Sequence, residues 1–345
     1  MSWFDESRLE DASALGSVDH RLRHLAESGS RVRRDAGEVA DALELEHGGA
    51  LRSAGSRPRA VIAAGPDSRL LRAVLEPTCP VPLVASPNRA LPGWAGALDL
   101  VVVLAPVGSD AATASAVAEA VRRGCQVVVA GPPASLVAQH ATGRDTTLLP
   151  CATGDQLAAA VVVLEVLHRL GLGPRSDPET VAGALDDVAR ACSPHRDLTV
   201  NPAKALAIAL ADTTPLLWGG SGLALRAARR VAESLRRTSG RAALAGDADV
   251  LLPVLEAARV RDVFDDPVAD GAAGPSRPTL VVLDDGADDP VAHEQRDRLV
   301  STAEERRLRV EVLRSDATGD VARYASLLLT GTYASEYLAL GLAEV

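Results

Sequence analysis

At 345 residues, with 47% hydrophobic and 24% charged residues, the chain is long enough for two ordinary domains, each with its own core. Aromatic residues make up only 2%, so the cores must be built from Ala, Val and Leu, and stacking platforms for single-stranded nucleic acid are not expected. The formal net charge of −10 offers no long-range attraction to a phosphate backbone, so nucleic acid is excluded as an expected partner.

Residues 4–46 carry helical spacing and no strand signal, which predicts one or two N-terminal helices. Arg21, Arg23, Arg31, Arg33 and Arg34 cluster there and read as a solvated helix face balanced by acids. From residue 59 the pattern changes. Short apolar strands are expected over 61–65, 81–85, 98–105 and 126–130, with helices over 68–76, 111–123 and 155–170. Glycines and a proline at 171–174 mark a linker. Helices over 179–191 and 202–211 follow. The strand pattern then repeats at 215–219, 242–245, 279–283 and 308–313, with a helix over 223–236 and a last one over 321–342. Strands alternating with helices imply βαβ units and parallel sheets. The expected fold is α/β, two doubly wound domains with N-terminal helices: residues 1–46 helical, 47–175 the first domain, 176–345 the second.

The charged start, Met1-Ser2-Trp3-Phe4-Asp5-Glu6, does not read as a secretory leader. The most apolar stretch, residues 158–172, is broken by Glu165, His168 and Arg169 and reads as a buried helix rather than a membrane span. A cytoplasmic protein without membrane contact is expected. Cys79, Cys125, Cys151 and Cys192 are widely spaced without a CxxC pair and read as reduced thiols. Asp265-Asp266 and Asp284-Asp285 with Asp288-Asp289 lack metal-ligand spacing and read as loop caps, so neither metal nor cofactor is expected.

Two turns stand where a sheet ligand would bind. Gly219-Gly220-Ser221-Gly222 lies between a strand and a helix, where backbone N–H groups and a hydroxyl can receive an anion. Leu225 replaces the third glycine of GxGxxG, and Leu223 the last glycine of GxSxG, so the turn fits neither motif. A tight strand-to-helix turn explains it equally. Ala105-Pro106-Val107-Gly108-Ser109-Asp110 stands in the same position earlier in the chain, with Gly108 and Ser109 as ligand contacts and Asp110 as a helix cap that repels phosphate.

Four stretches carry a resemblance. Leu91-Pro92-Gly93-Trp94-Ala95-Gly96 is similar to LPxWxG, and Asn201-Pro202-Ala203-Lys204 to NPAK. Trp218 with the glycine turn, and Gly331-Thr332-Tyr333-Ala334-Ser335-Glu336-Tyr337-Leu338-Ala339, which resembles GDYxSxYLA, complete the set. In order and spacing they resemble the bifunctional glucose-6-phosphate/mannose-6-phosphate isomerases, which have tandem sugar isomerase (SIS) domains. The resemblance implies two SIS domains, aldose–ketose isomerisation through an enediol, and a homodimer whose sites take residues from both subunits.

The departures bear on activity. The family's phosphate loop, S-Y-S-G-N-T, corresponds to residues 105–110, where Ala105, Val107 and Asp110 replace hydroxyl residues. Its first glycine turn corresponds to residues 64–69, where Pro66 removes a donor. Its catalytic Glu maps onto Gly240-Arg241-Ala242, its His onto Asp247-Ala248-Asp249, and an Arg onto Cys151. The family's terminal Lys has no counterpart by residue 345. Glu233, Asp247 and Asp249 are the candidate substitutes for the base, with His293 a further titratable group. The expected function is binding of a sugar phosphate, nucleotide sugar or related carbohydrate derivative with weak or no isomerase activity. An active isomerase with a rebuilt site and a dimer scaffold without ligand are the alternatives.

Overall fold

Each residue of Leu100–Leu104 is at most 2% exposed, so this strand is covered on both faces. A parallel strand with helices on either side demands such a continuous apolar run. The computed structural model describes residues 3–45, 57–87, 90–259 and 277–343. The acidic pair Asp265-Asp266 lies outside the described residues.

The chain divides into two compact units: Ser28–Gly183, and Met1–Glu27 together with Ala184–Val345. Helix α1 (Ala12–Ala26) belongs to the second unit and α2 (Ser28–Leu45) to the first, so the N-terminal helices are shared between them.

The first unit holds β1 (Val61–Ala64), α3 (Ser68–Leu75), β2 (Leu83–Ser86), β3 (Leu100–Leu104), α4 (Ala111–Arg122), β4 (Gln126–Gly131), α5 (Leu136–His140), β5 (Thr146–Pro150) and α6 (Gln156–Arg169). Its five described strands are all parallel, in the order β2-β1-β3-β4-β5. The sequence pattern does not reveal β5 or α5. β5 is an edge strand with alternating burial, and it ends in a proline that only an edge tolerates. Arg31 departs from the expected solvated face. It is mostly buried, and its Nε donates to Asp155, the N-cap of α6, at 2.8 Å.

Helix α7 (Pro178–Ala191) spans the boundary. The second unit then runs through α8 (Pro202–Leu210), β6 (Thr213–Gly219), α9 (Gly222–Ser239), β7 (Leu244–Ala245), α10 (Ala248–Glu256), β8 (Arg277–Asp284), α11 (Pro290–Glu305), β9 (Val310–Arg314) and α12 (Asp320–Leu342). Its four described strands are parallel, in the order β7-β6-β8-β9. Helix α9 buries Leu223, Ala224, Ala227, Ala228, Val231, Ala232 and Leu235, the stripe expected of a helix on a sheet. Helix α12 is buried on nearly every side and carries all three tyrosines of the chain, each at most 1% exposed.

Among the described residues no helix is long and apolar enough to cross a membrane. All four cysteines are free; three are buried and Cys79 is half-buried.

Glu336 on α12 is a buried carboxylate facing α1. Arg21 Nε lies 3.1 Å away, but neither it nor Glu336 Oε2 achieves hydrogen-bond geometry. Burial pushes the Glu336 carboxyl up, and Arg21 and His20 pull it only partly back. An acid raised in the folded state holds its proton more tightly there than when unfolded. The folded state is therefore penalised as pH rises from the ordinary glutamate range through the raised value. Glu336→Gln should raise the Tm near about pH 7 and change it little near about pH 4. A lowered Tm at neutral pH would mean that the contact with Arg21 outweighs burial.

Candidate functional site

In an open parallel sheet, ligands bind outside the carboxyl ends of the strands where the strand order reverses. In the second unit that point lies between β6 and β8. β6 ends at Gly219, and Ser221 caps α9. The Ser221 hydroxyl accepts from the Ala224 amide at 2.9 Å and donates to a carboxylate oxygen of Asp285, just beyond β8. The N-terminal hydroxyl of the helix thus faces a carboxylate of the same chain.

Gly219 and Gly220 of this turn are required by packing. A Cβ on Gly219 would fall 2.3 Å from the Ala224 carbonyl carbon, and one on Gly220 would fall 2.8 Å from Ala292 Cβ. Gly222 is the exposed first residue of α9. Gly219→Ala should cost about 1–3 kcal/mol, as overpacking against backbone does, measured by urea unfolding without ligand. No loss of stability would show that the glycine is not required by packing.

The same edge carries two arginines that the sequence reading did not single out. Asp284, the last residue of β8, lies 3.4 Å from Arg296 Nη1 on α11 and 3.3 Å from Arg314 Nε, the last residue of β9. Asp284 also caps the Gly286 amide at 3.0 Å and Asp289 the Val291 amide at 3.0 Å, so this acidic stretch is made of turn and helix caps. Among the described residues no group of side chains is placed to hold a metal.

In the first unit the reversal lies between β1 and β3. Gly65 follows β1 with φ +91° and approaches Thr113 on α4. Asp110 caps α4, accepting from the Thr113 amide at 2.8 Å and the Thr113 hydroxyl at 2.6 Å. Gly108 has φ +69°, and a Cβ there would meet Ser135 at 2.3 Å. Its carbonyl accepts from the Val137 amide at 3.0 Å, which ties the loop to α5. Ser109 is exposed. In this loop, as in the other, a carboxylate stands at the start of the helix.

The candidate bases are dispersed. Glu233 lies three turns along α9, roughly 18 Å from Ser221 at 1.5 Å per residue. It is held there by Arg230 at 2.8 Å and Arg237 at 2.7 Å. Asp247 and Asp249 are exposed at the start of α10, beyond the carboxyl end of β7 and on the Ser221 edge of the sheet. Arg241 follows the left-handed Gly240 that ends α9, at the opposite edge from Ser221. His293 is exposed in the first turn of α11. Cys151 is 1% exposed, and burial pushes its thiol up to about 12, so it is an inert core residue.

The Asn201-Pro202-Ala203-Lys204 stretch and the last helix meet in one network. The Asn201 side chain accepts from the Ala203 and Lys204 amides at 3.0 and 3.1 Å and donates to the Ser193 carbonyl at 3.0 Å. Lys204, the chain's only lysine, is 1% exposed and donates to the carbonyls of Pro194 and Arg196 at 3.0 and 2.9 Å. Its ammonium sits 5.8 Å from the Tyr337 ring centre, and the Tyr337 hydroxyl donates to the Cys192 carbonyl at 2.7 Å. Burial pushes the Lys204 ammonium down, and Glu10 and Asp197 counter it. Three side chains therefore clamp four carbonyls of residues 192–196. Lys204→Met should leave two carbonyls unpaired and cost about 2 kcal/mol, read as a lower urea midpoint with unchanged m. An unchanged midpoint would remove the clamp from the account.

Residues 199–343 match the family described as the bacterial phospho-glucose isomerase C-terminal SIS domain. The solved structure of tagatose-6-phosphate ketose/aldose isomerase from Escherichia coli is similar over 93% of this chain and 94% of its own, with a TM-score of 0.66 and 13% identity. The fold is SIS-like. The structure of the C-terminal domain of glucosamine-fructose-6-phosphate aminotransferase from Francisella tularensis is similar over 93% of this chain and 95% of its own, with a TM-score of 0.62 and 13% identity. No curated protein matches the sequence.

Proposed function

We propose that this SIS protein binds a sugar phosphate, nucleotide sugar or related carbohydrate derivative at the carboxyl edge of its second sheet, with weak or no isomerase turnover, and acts as a regulatory member of the fold. The observation that carries this is the Ser221–Asp285 pair at the strand-order reversal, with Arg296 and Arg314 held on the neighbouring Asp284 along the same sheet edge. A hydroxyl and a carboxylate match the hydroxyls of a sugar, and guanidinium groups match a phosphate. Isomerisation needs in addition a base between C1 and C2 and an acid at the carbonyl. Glu233 is ion-paired three turns along α9 from this edge, which supports weak or absent turnover.

A second reading keeps catalysis, with Asp247 or Asp249 as base, because both stand on the same edge as Ser221. A cytoplasmic homodimer belongs to the proposal by analogy with the family the motifs resemble. The scaffold reading has no ligand.

A coupled assay with glucose-, fructose- and mannose-6-phosphate, run beside a thermal-shift titration, separates the three. The proposal expects negligible turnover and a raised Tm with at least one sugar phosphate, the shift being lost in Arg314→Ala. Turnover abolished by Asp249→Ala would establish the second reading. No shift at millimolar concentration would leave the scaffold.

A further inference from the structure

The clamped loop of the second unit forms one wall of an open cleft of about 510 Å3. Its other wall is α1, through Leu15, Gly16 and Asp19, with Glu10 at the rim and Lys204 at the base. The volume is that of a small-molecule site. The cleft lies away from the Ser221 edge. Tyr337, beneath Lys204, is two residues from Ser335, whose carbonyl receives the Thr238 hydroxyl near the last turn of α9. Ser221 is at the first turn of the same 18-residue helix.

Each carboxylate of the cleft has one oxygen engaged. Glu10 Oε1 accepts from the Leu198 amide at 3.0 Å, Asp197 Oδ1 from the Thr199 amide at 2.8 Å, and Asp19 Oδ2 from Arg23 at 2.6 Å. The second oxygen of each, the Arg196 guanidinium and the His195 ring make no hydrogen bond or close ion pair among the described residues, and Glu10 and Asp197 share the field of the Lys204 ammonium. The Lys204 ammonium is turned onto main-chain carbonyls. A ligand in the cleft therefore meets three acceptors of negative charge and two donors, beside the apolar surface of Leu15 and Pro194. An anion uses only the donors and is repelled by the carboxylates. A cation uses only the acceptors. A molecule rich in hydroxyls uses both, since each hydroxyl donates and accepts.

We infer that this cleft is a second binding site, for an unphosphorylated sugar or polyol, separate from the site at the Ser221 edge. The main-chain clamp holds residues 192–196 in place before binding, which lowers the ordering cost.

The test is titration of the full chain with D-glucose, D-mannose, D-fructose and sorbitol, by calorimetry and by ligand-observed NMR, with the three hexose 6-phosphates in parallel. Saturable binding of at least one neutral ligand is expected, weakened roughly tenfold in Glu10→Gln/Asp19→Asn and unchanged in Arg314→Ala. Glutamine and asparagine keep the structural hydrogen bonds at Glu10 and Asp19. A second variant guards against misfolding. Gly16 is exposed, and a Cβ there meets nothing within 4 Å. Gly16→Leu should stabilise α1 while its side chain fills the cleft, abolishing binding with a raised Tm. The inference fails if no neutral ligand binds saturably, or if Gly16→Leu and the double variant bind like the parent. Loss of 6-phosphate binding in Arg314→Ala, with neutral-sugar binding retained, bears on the edge site alone.

Discussion

A serine hydroxyl held by a carboxylate governs the second sheet's crevice. Ser221 is the N-cap of α9, where the helix dipole and free amides favour negative charge. The protein supplies that charge itself, through Asp285. The first unit does the same at α4 through Asp110. Parallel sheets covered on both faces leave their carboxyl edges as the place for polar chemistry, so a carboxylate at each helix start shapes what either sheet can accept. At such a helix start a carboxylate repels a further anion and accepts from hydroxyl groups.

The rest of the second unit is held by α12 at its centre. Its tyrosines are buried, and Tyr337 reaches the same loop that Lys204 and Asn201 hold. Two motifs separated by about 130 residues in sequence are therefore one structural device. Their chemistry is that of main-chain carbonyls satisfied by buried donors, which is a reason to keep an asparagine, a lysine and a tyrosine independent of any catalysis.

Much of this was legible in the sequence. The apolar runs at 61–64 and 100–104 announce buried parallel strands, and the glycine turn after Trp218 marks the start of a helix. The edge strand Thr146–Pro150 was not legible, because its half-buried pattern is short and ends in proline. Asp110 reads correctly as a cap from its place before a helix. Asp285 reads as a turn residue, and its contact with Ser221 arises only when β6 and β8 pair side by side. Arg296 and Arg314 give no signal in a chain whose basic residues are nearly all arginine. Motif resemblance points to residues 201–204 and 331–339, but their meeting through Lys204 and Tyr337 requires the fold.

The central claim, proposed above, is that this SIS-like scaffold binds its ligand at the second sheet edge without the proton-transfer pair of an isomerase. Incubation of mannose-6-phosphate and fructose-6-phosphate with the protein in D2O, followed by proton NMR at C1 and C2, tests it most directly, because an enediol exchanges its proton with solvent even when net conversion is slow. The account predicts no deuterium incorporation above the protein-free control, while the ligand signals still broaden on binding. Incorporation at C2 that disappears in Asp247→Asn or Asp249→Asn would contradict it and place an active base at the start of α10.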